Sequence, residues 1–160
     1  RILASDIREN PSLKGLCTYV DNETLYKACD ILSLHMPLLE STRHFVNAET
    51  IAKMKDGVTI INCARGELMN IPDMIRGIET QKIGALALDV FDKEDGIYHE
   101  NRRDDILSNR DMAYLRQFPN VIMTQHMAFY TDAAVQSMVF CGIEGLCDFA
   151  KTGHTETELV

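Results

Sequence analysis

Apolar positions along the chain fall into two alternating patterns. Short apolar runs occur at Ile2–Ser5, Thr18–Val20, Ile31–Leu34, Val58–Asn62, Ala85–Val90 and Val121–Thr124. Several are continuous, as in parallel strands covered on both faces. Segments with helix signals lie between them. Asn22, Glu23 and Thr24 open a helix to about Cys29. Asn47 caps a helix over Ala48–Met54, with Glu49 and Thr50 in its first turn. Pro72 suits the first turn of a helix through Glu79, where a missing N–H costs nothing. Thr131 or Asp132 caps a long helix to about Lys151. Strand–helix–strand repetition predicts βαβ units, and so an α/β fold with a doubly wound parallel sheet.

Residues 92–118 break this rhythm with two charged clusters, Asp92-Lys93-Glu94-Asp95 and Arg102-Arg103-Asp104-Asp105. They predict an excursion over the carboxy-terminal edge of the sheet, with a short helix near Asp111–Arg116. A loop of this length in a compact domain is more often functional than idle. The tail after Gly153 is expected to be an edge strand or disordered.

Composition narrows the function classes. The 160 residues are 46% hydrophobic and 25% charged, enough for one packed core and too apolar for a disordered chain. The net charge of −8 argues against a nucleic-acid partner, because phosphate binding needs a basic surface. The most apolar stretch, Ala133–Ala150, carries Glu144 and Asp148, so it reads as a buried or amphipathic helix and not as a membrane span. Five cysteines, Cys17, Cys29, Cys63, Cys141 and Cys147, include no CxxC pair. That pattern predicts reduced, mostly buried thiols in a cytoplasmic protein, with neither a disulfide framework nor a zinc site.

Distinctive polar residues follow the strands: Asp6, His35, Arg65, Asp89 with Glu94, and His126. In an open parallel sheet all strand carboxyl ends share one edge, and ligands bind in the crevice there. Each residue also has a plainer reading. Asp6 either caps a turn or bridges the ribose hydroxyls of a dinucleotide. Arg65 either pairs with Glu67 or, beside Gly66, presents its planar fork to a carboxylate. His126 is a structural histidine unless a carboxylate such as Glu94 tunes it as an acid or base. His44, His99 and His154 lie in polar surroundings and carry no signal. The eight methionines read as core filler.

Four strings make a combination more specific than any one of them. They are Ser33-Leu34-His35-Met36-Pro37 with Thr42 and Asn47 following, Ile60 to Leu68 around Arg65-Gly66, Ala87 to Glu94, and Pro119 to Thr131. In order and separation they resemble the signature segments of the D-isomer-specific 2-hydroxyacid dehydrogenases. Phe129-Tyr130-Thr131 and the long insert after Glu94 resemble the D-lactate dehydrogenase branch. The resemblance implies a Rossmann-type domain, NAD as cofactor, a homodimer, and reversible reduction of a small, pyruvate-like 2-oxo acid to the D-2-hydroxy acid. It also implies roles. Arg65 would clamp the substrate carboxylate, His126 would exchange a proton with the substrate oxygen, and Glu94 would hold His126 protonated. Asp6 would hold the adenine ribose. His35, Met36, Pro37, Thr42, Cys63, Ala64 and Ala128 would line the cofactor cleft. Asp89 would bind the nicotinamide carboxamide, and Phe129 would sit near the substrate side chain.

Two departures stand out. Gln125 occupies the place usually taken by Pro, and no GxGxxG phosphate loop occurs. The sheet is therefore expected to be incomplete, lacking the first βαβ unit. Residues 1–130 would form the second portion of the NAD-binding domain, and 131–160 a helix and tail returning toward an absent substrate domain. Because it opens inside an apolar run at Arg1, the chain is expected to be either a fragment or a truncated gene product. The rival from another class is a non-catalytic fragment or nucleotide-binding interaction module of the same fold.

Overall fold

The computed structural model describes residues 1–99, 101 and 109–157. The elements run β1 (Leu3–Ala4), β2 (Thr18–Tyr19), α1 (Asn22–Ala28), β3 (Ile31–Leu34), α2 (Ala48–Lys53), β4 (Val58–Asn62), α3 (Ile71–Glu79), β5 (Ile83–Leu88), α4 (Arg110–Leu115), β6 (Val121–Met123) and α5 (Asp132–Thr152). Short 3-10 turns cover Pro11–Leu13 and Gly66–Leu68. The contacts divide the chain into two units, Arg1–Gln125 and His126–Val160.

In the first unit every strand pairing is parallel. β1 and β2 form a two-stranded sheet, and β3–β4–β5–β6 form a four-stranded sheet in chain order. That order has a consequence. When each crossover has the usual right hand and each new strand is added on the same side, the connecting helices fall on one face. Consecutive helices accordingly touch: α1 on α2, α2 on α3, and α3 on α4.

The strands are thus covered on one face within this chain, in place of the two expected from their continuous apolar runs. Leu32 and Leu34 of β3 are buried, whereas Ile31 is 62% exposed; Ile122 of β6 is 66% exposed. β4, central and flanked on both edges, buries Val58, Ile60 and Asn62. α3 lays Ile71, Met74 and Ile78 onto the sheet, at the spacing of one helical face.

Most predicted boundaries lie within a residue or two of the observed ones. β5 starts at Ile83 and not Ala85, because Ile83 pairs with Val58 across a register shift in β4. Asp89 still donates its N–H to the Asn62 carbonyl, but Val90 has left the strand. The excursion after β5 is less peripheral than expected: α4 buries Met112 and Leu115 in the core. Glu100 and residues 102–108, where the second charged cluster falls, lie outside the described residues.

The second unit is dominated by α5, which has no buried residue, so of the expected buried or amphipathic helix only the amphipathic reading agrees with this chain. Met138, Val139, Ile143, Leu146 and Phe149 form an exposed stripe along it, with Glu144 and Asp148 on the other side. By length and composition α5 could cross a membrane, and it is the one such helix among the described residues. Gly153, at φ 77°, ends it in the left-handed conformation that a residue without a Cβ adopts at little cost. Among the described residues of the tail no strand forms. The expectation of mostly buried thiols also fails. Only Cys29 is buried; Cys63 lies on the strand-end loop and Cys141 and Cys147 on the uncovered α5. Burial pushes the Cys29 thiol up from its ordinary pKa, which keeps it protonated.

The Asn47 cap is the clearest local signal that the structure repeats. Its side chain accepts from Glu49 and Thr50 N–H, and the Thr50 hydroxyl receives the Asn47 N–H at 2.9 Å, which closes a capping box. Asn47→Ala is expected to cost about 1 kcal/mol. Urea denaturation checks this; an unshifted midpoint would remove the cap from the account of α2.

Candidate active site

The strands of the larger sheet all end at one edge, and the residues there are set by backbone hydrogen bonds as much as by side chains. After β3, His35 Nε2 lies 2.8 Å from Ser33 Oγ. The Thr42 hydroxyl donates to the Pro37 carbonyl at 2.7 Å and accepts from Leu39 N–H at 2.8 Å. Thr42 thus staples the loop that carries Met36 and Pro37. After β1, Asp6 Oδ1 accepts from Arg8 N–H at 3.0 Å, so this exposed carboxylate caps a turn with one oxygen.

The turn after β4 is more tightly built. Asn62 is fully buried. Its Oδ1 accepts from Ala64 N–H at 3.0 Å, and its Nδ2 donates to the Arg65 carbonyl at 2.8 Å. Arg65 itself is exposed, and its Nη1 donates to the Ala64 carbonyl at 2.7 Å. The described ion pairs include none between Arg65 and Glu67, so the plainer reading of Arg65 finds no support. The following 3-10 turn is tied to a neighbouring segment, His44 N–H donating to the Glu67 carbonyl and Val46 N–H to that of Leu68. Cys63 is exposed and Ala64 half-buried at the same edge.

After β5, Asp89 is 5% exposed and accepts from the Thr124 hydroxyl at the end of β6. Glu94 Oε2 accepts from Phe91 N–H at 2.7 Å, closing the turn that leaves the strand. Burial first, and then the charge of Glu94, pushes the Tyr98 phenol up to about 12, so Tyr98 stays neutral. In the first unit, then, His35, Arg65, Asp89 and Glu94 all follow strand ends of the four-stranded sheet.

His126, Ala128 and Phe129 belong to the second unit. His126 has φ 54°, a left-handed conformation uncommon for a residue with a Cβ. Tyr130 N–H returns to the Met127 carbonyl, and the Phe129 and Tyr130 rings meet edge to face with centroids 6.0 Å apart. Thr131 accepts from Ala134 N–H and so caps α5.

The sequence reading passed over Asn62 and Thr124. A signal for the first was present, since Asn is depleted in strands and stands at the end of an apolar run. For Thr124 no periodicity marked its partner 35 positions away. Two surface grooves, of about 380 and 520 Å³, are lined by none of the predicted site residues. Among the described residues no His, Cys, Asp and Glu cluster is arranged to hold a metal.

The chain is similar to known proteins along its whole length. The family described as D-isomer specific 2-hydroxyacid dehydrogenase, NAD binding domain, matches residues 1–128. An aromatic 2-oxoacid reductase of Clostridium sporogenes is 39% identical over the whole chain and is matched over 48% of its own length. A D-lactate dehydrogenase of Lactobacillus delbrueckii subsp. bulgaricus is 38% identical, over 98% of this chain and 47% of its own. A solved D-lactate dehydrogenase from Sporolactobacillus sp superposes with a TM-score of 0.94 at 34% identity, over 98% of this chain and 47% of that one. One from Lactobacillus jensenii, solved with NAD+, gives 0.91 at 32% identity, over 100% of this chain and 48% of that one. The chain spans about half the length of the curated relatives it matches.

Gly66 supplies the test of this edge. A Cβ there would lie 2.1 Å from the Phe91 carbonyl carbon and 2.3 Å from Asp92 N, both backbone atoms. Gly66→Ala is expected to cost about 1–3 kcal/mol by overpacking, read as a lowered urea midpoint. An unchanged midpoint would mean that the turn does not pack on the end of β5 as described.

Proposed function

The chain belongs to the D-isomer-specific 2-hydroxyacid dehydrogenases and carries their NAD-binding domain, and from that premise we propose that its full-length protein reduces a small 2-oxo acid, pyruvate by preference, to the D-2-hydroxy acid, reversibly and with NADH. The observation that carries the reading is Arg65: an exposed guanidinium on a rigid strand-end turn, without a carboxylate partner among the described residues. A 2-oxo acid brings that carboxylate, and a planar fork holds it in one orientation.

The donor set suits NAD. The Asp6 carboxylate, exposed after β1, accepts from ribose hydroxyls and disfavours a 2′-phosphate. Cys63 and Ala64 are small where β4 ends, leaving room for a cofactor beside Met36, Pro37 and Thr42. Asp89, anchored by Thr124, accepts from a carboxamide N–H. When bound, NADH supplies the hydride that the 2-oxo carbon takes up. The residues of the chain do the rest. Arg65 orients the substrate and polarises its 2-oxo group. His126 delivers a proton to the developing alkoxide and takes it back in the reverse direction. Glu94 is assigned as the carboxylate that partners His126 in that exchange. Phe129 borders the substrate side chain. The protein is further proposed to be a cytoplasmic homodimer that engages neither nucleic acid nor membrane, with α5 covered by protein.

A second reading concerns substrate size. The relative from Clostridium sporogenes is called an aromatic 2-oxoacid reductase, and an aromatic 2-oxo acid is accordingly the alternative substrate. Steady-state rates with pyruvate and with phenylpyruvate separate the two, the larger kcat/KM naming the class.

The clamp and the acid are tested in the full-length protein. Arg65→Lys is expected to raise KM for pyruvate about tenfold or more, since a point charge replaces a bidentate fork. An unchanged KM would sink the clamp. His126→Ala is expected to abolish turnover while NADH binding, followed by fluorescence, persists; retained turnover would take the proton transfer away from His126.

A further inference from the structure

We infer that Asn62 is a positioning residue for the proposed reaction, acting through Arg65 by fixing the 62–65 turn from inside the sheet. A primary amide removed from water is costly unless its groups are bonded. Asn62 is 0% exposed, and both ends of its amide are used on the same short stretch of backbone. Oδ1 takes the N–H of Ala64 and Nδ2 takes the carbonyl of Arg65. The two bonds grip the Ala64–Arg65 segment at both ends and so restrict the backbone angles that aim the Arg65 side chain. The Asn62 carbonyl, in turn, receives the Asp89 N–H at 3.0 Å. The residue is therefore pinned to β5 by its main chain while its side chain holds the turn.

The chemistry explains why this residue type is needed. The task calls for one donor and one acceptor, uncharged, at fixed separation. Asp keeps the shape and the acceptor but sets a carboxylate oxygen against the Arg65 carbonyl. Leu keeps the volume and loses both bonds. Ser is too short to span the two groups. A guanidinium that recognises a carboxylate by two parallel bonds depends on direction, and a misplacement of about 1 Å can cost on the order of a hundredfold in rate. Asn62 touches neither substrate nor cofactor in this scheme; its effect passes through Arg65. The inference rests on the proposal that Arg65 clamps the substrate.

A double-mutant cycle in the full-length protein tests it, with pyruvate as the substrate probe. Arg65→Ala, Asn62→Ala, Asn62→Asp and the two double variants are compared for kcat, KM, NADH affinity and Tm. Asn62→Ala is expected to raise KM for pyruvate about tenfold, with a smaller loss of NADH affinity through Ala64. In the Arg65→Ala background the same change is expected to add almost nothing, because the group it aims is gone. Equal losses in both backgrounds would overturn the inference and make Asn62 a general fold residue. Should Asn62→Ala fail to fold, Asn62→Asp carries the test, since it keeps the shape and the acceptor and replaces the donor to Arg65 with an oxygen; a KM unchanged in that variant also overturns it. The two readings fail differently. If Arg65→Ala leaves KM unchanged, the clamp itself is wrong. If Arg65→Ala raises KM and the Asn62 variants do not, only the positioning role is lost.

Discussion

Parallel pairing in chain order is the constraint from which the rest of the first unit follows. β3, β4, β5 and β6 each add beside the last, in the same direction. Parallel neighbours cannot be joined by a tight turn, so each pair needs a crossover, and here a helix sits in each. Crossovers of one hand gather α2, α3 and α4 on one face. The same geometry brings every strand of this sheet out at one edge, where the chain has to turn and where side chains are free of the core. His35, Arg65, Asp89 and Glu94 follow those exits. The candidate residues are concentrated there because a packed interior has little room for polar side chains.

How the edge is stiffened is visible at two buried polar residues, Asn62 and Asp89. Asn62 holds the turn after β4 from below, and the Thr124 hydroxyl ties the end of β6 to Asp89 at the end of β5. Gly66 lets the turn after β4 lie against the backbone of Phe91 and Asp92. Three adjacent strand ends are thus linked sideways by contacts that leave little slack. Arg65 stands exposed on that support, and the proposal that it clamps a 2-oxo acid carboxylate starts from there.

Much of this was legible in the sequence, for identifiable reasons. β4 could be placed because a continuous apolar run between Gly57 and the Arg65-Gly66 turn has few other uses. α2 could be placed because Asn47 and Thr50 form a local box, and α3 because Pro72 tolerates the first turn of a helix. What could not be read depended on distant partners. The start of β5 is set by the register against Val58, and the uncovered sheet face by strand order. The exposure of Cys141 and Cys147 follows from α5 having no buried residue within this chain. The candidate residues were legible as residue types that follow strands. The Thr42 staple, the Glu94 bond to Phe91 N–H and the Asn62 grip were not, because each is a local geometry that several backbone paths could have replaced.

The central claim is that this edge serves a D-specific 2-hydroxyacid dehydrogenase. The most direct measurement is the configuration of the product when the full-length protein is given pyruvate and NADH, read by chiral chromatography of the lactate formed. The account predicts D-lactate, with NADH consumed in equal amount. L-lactate, or a racemic mixture formed at the enzymatic rate, would contradict it.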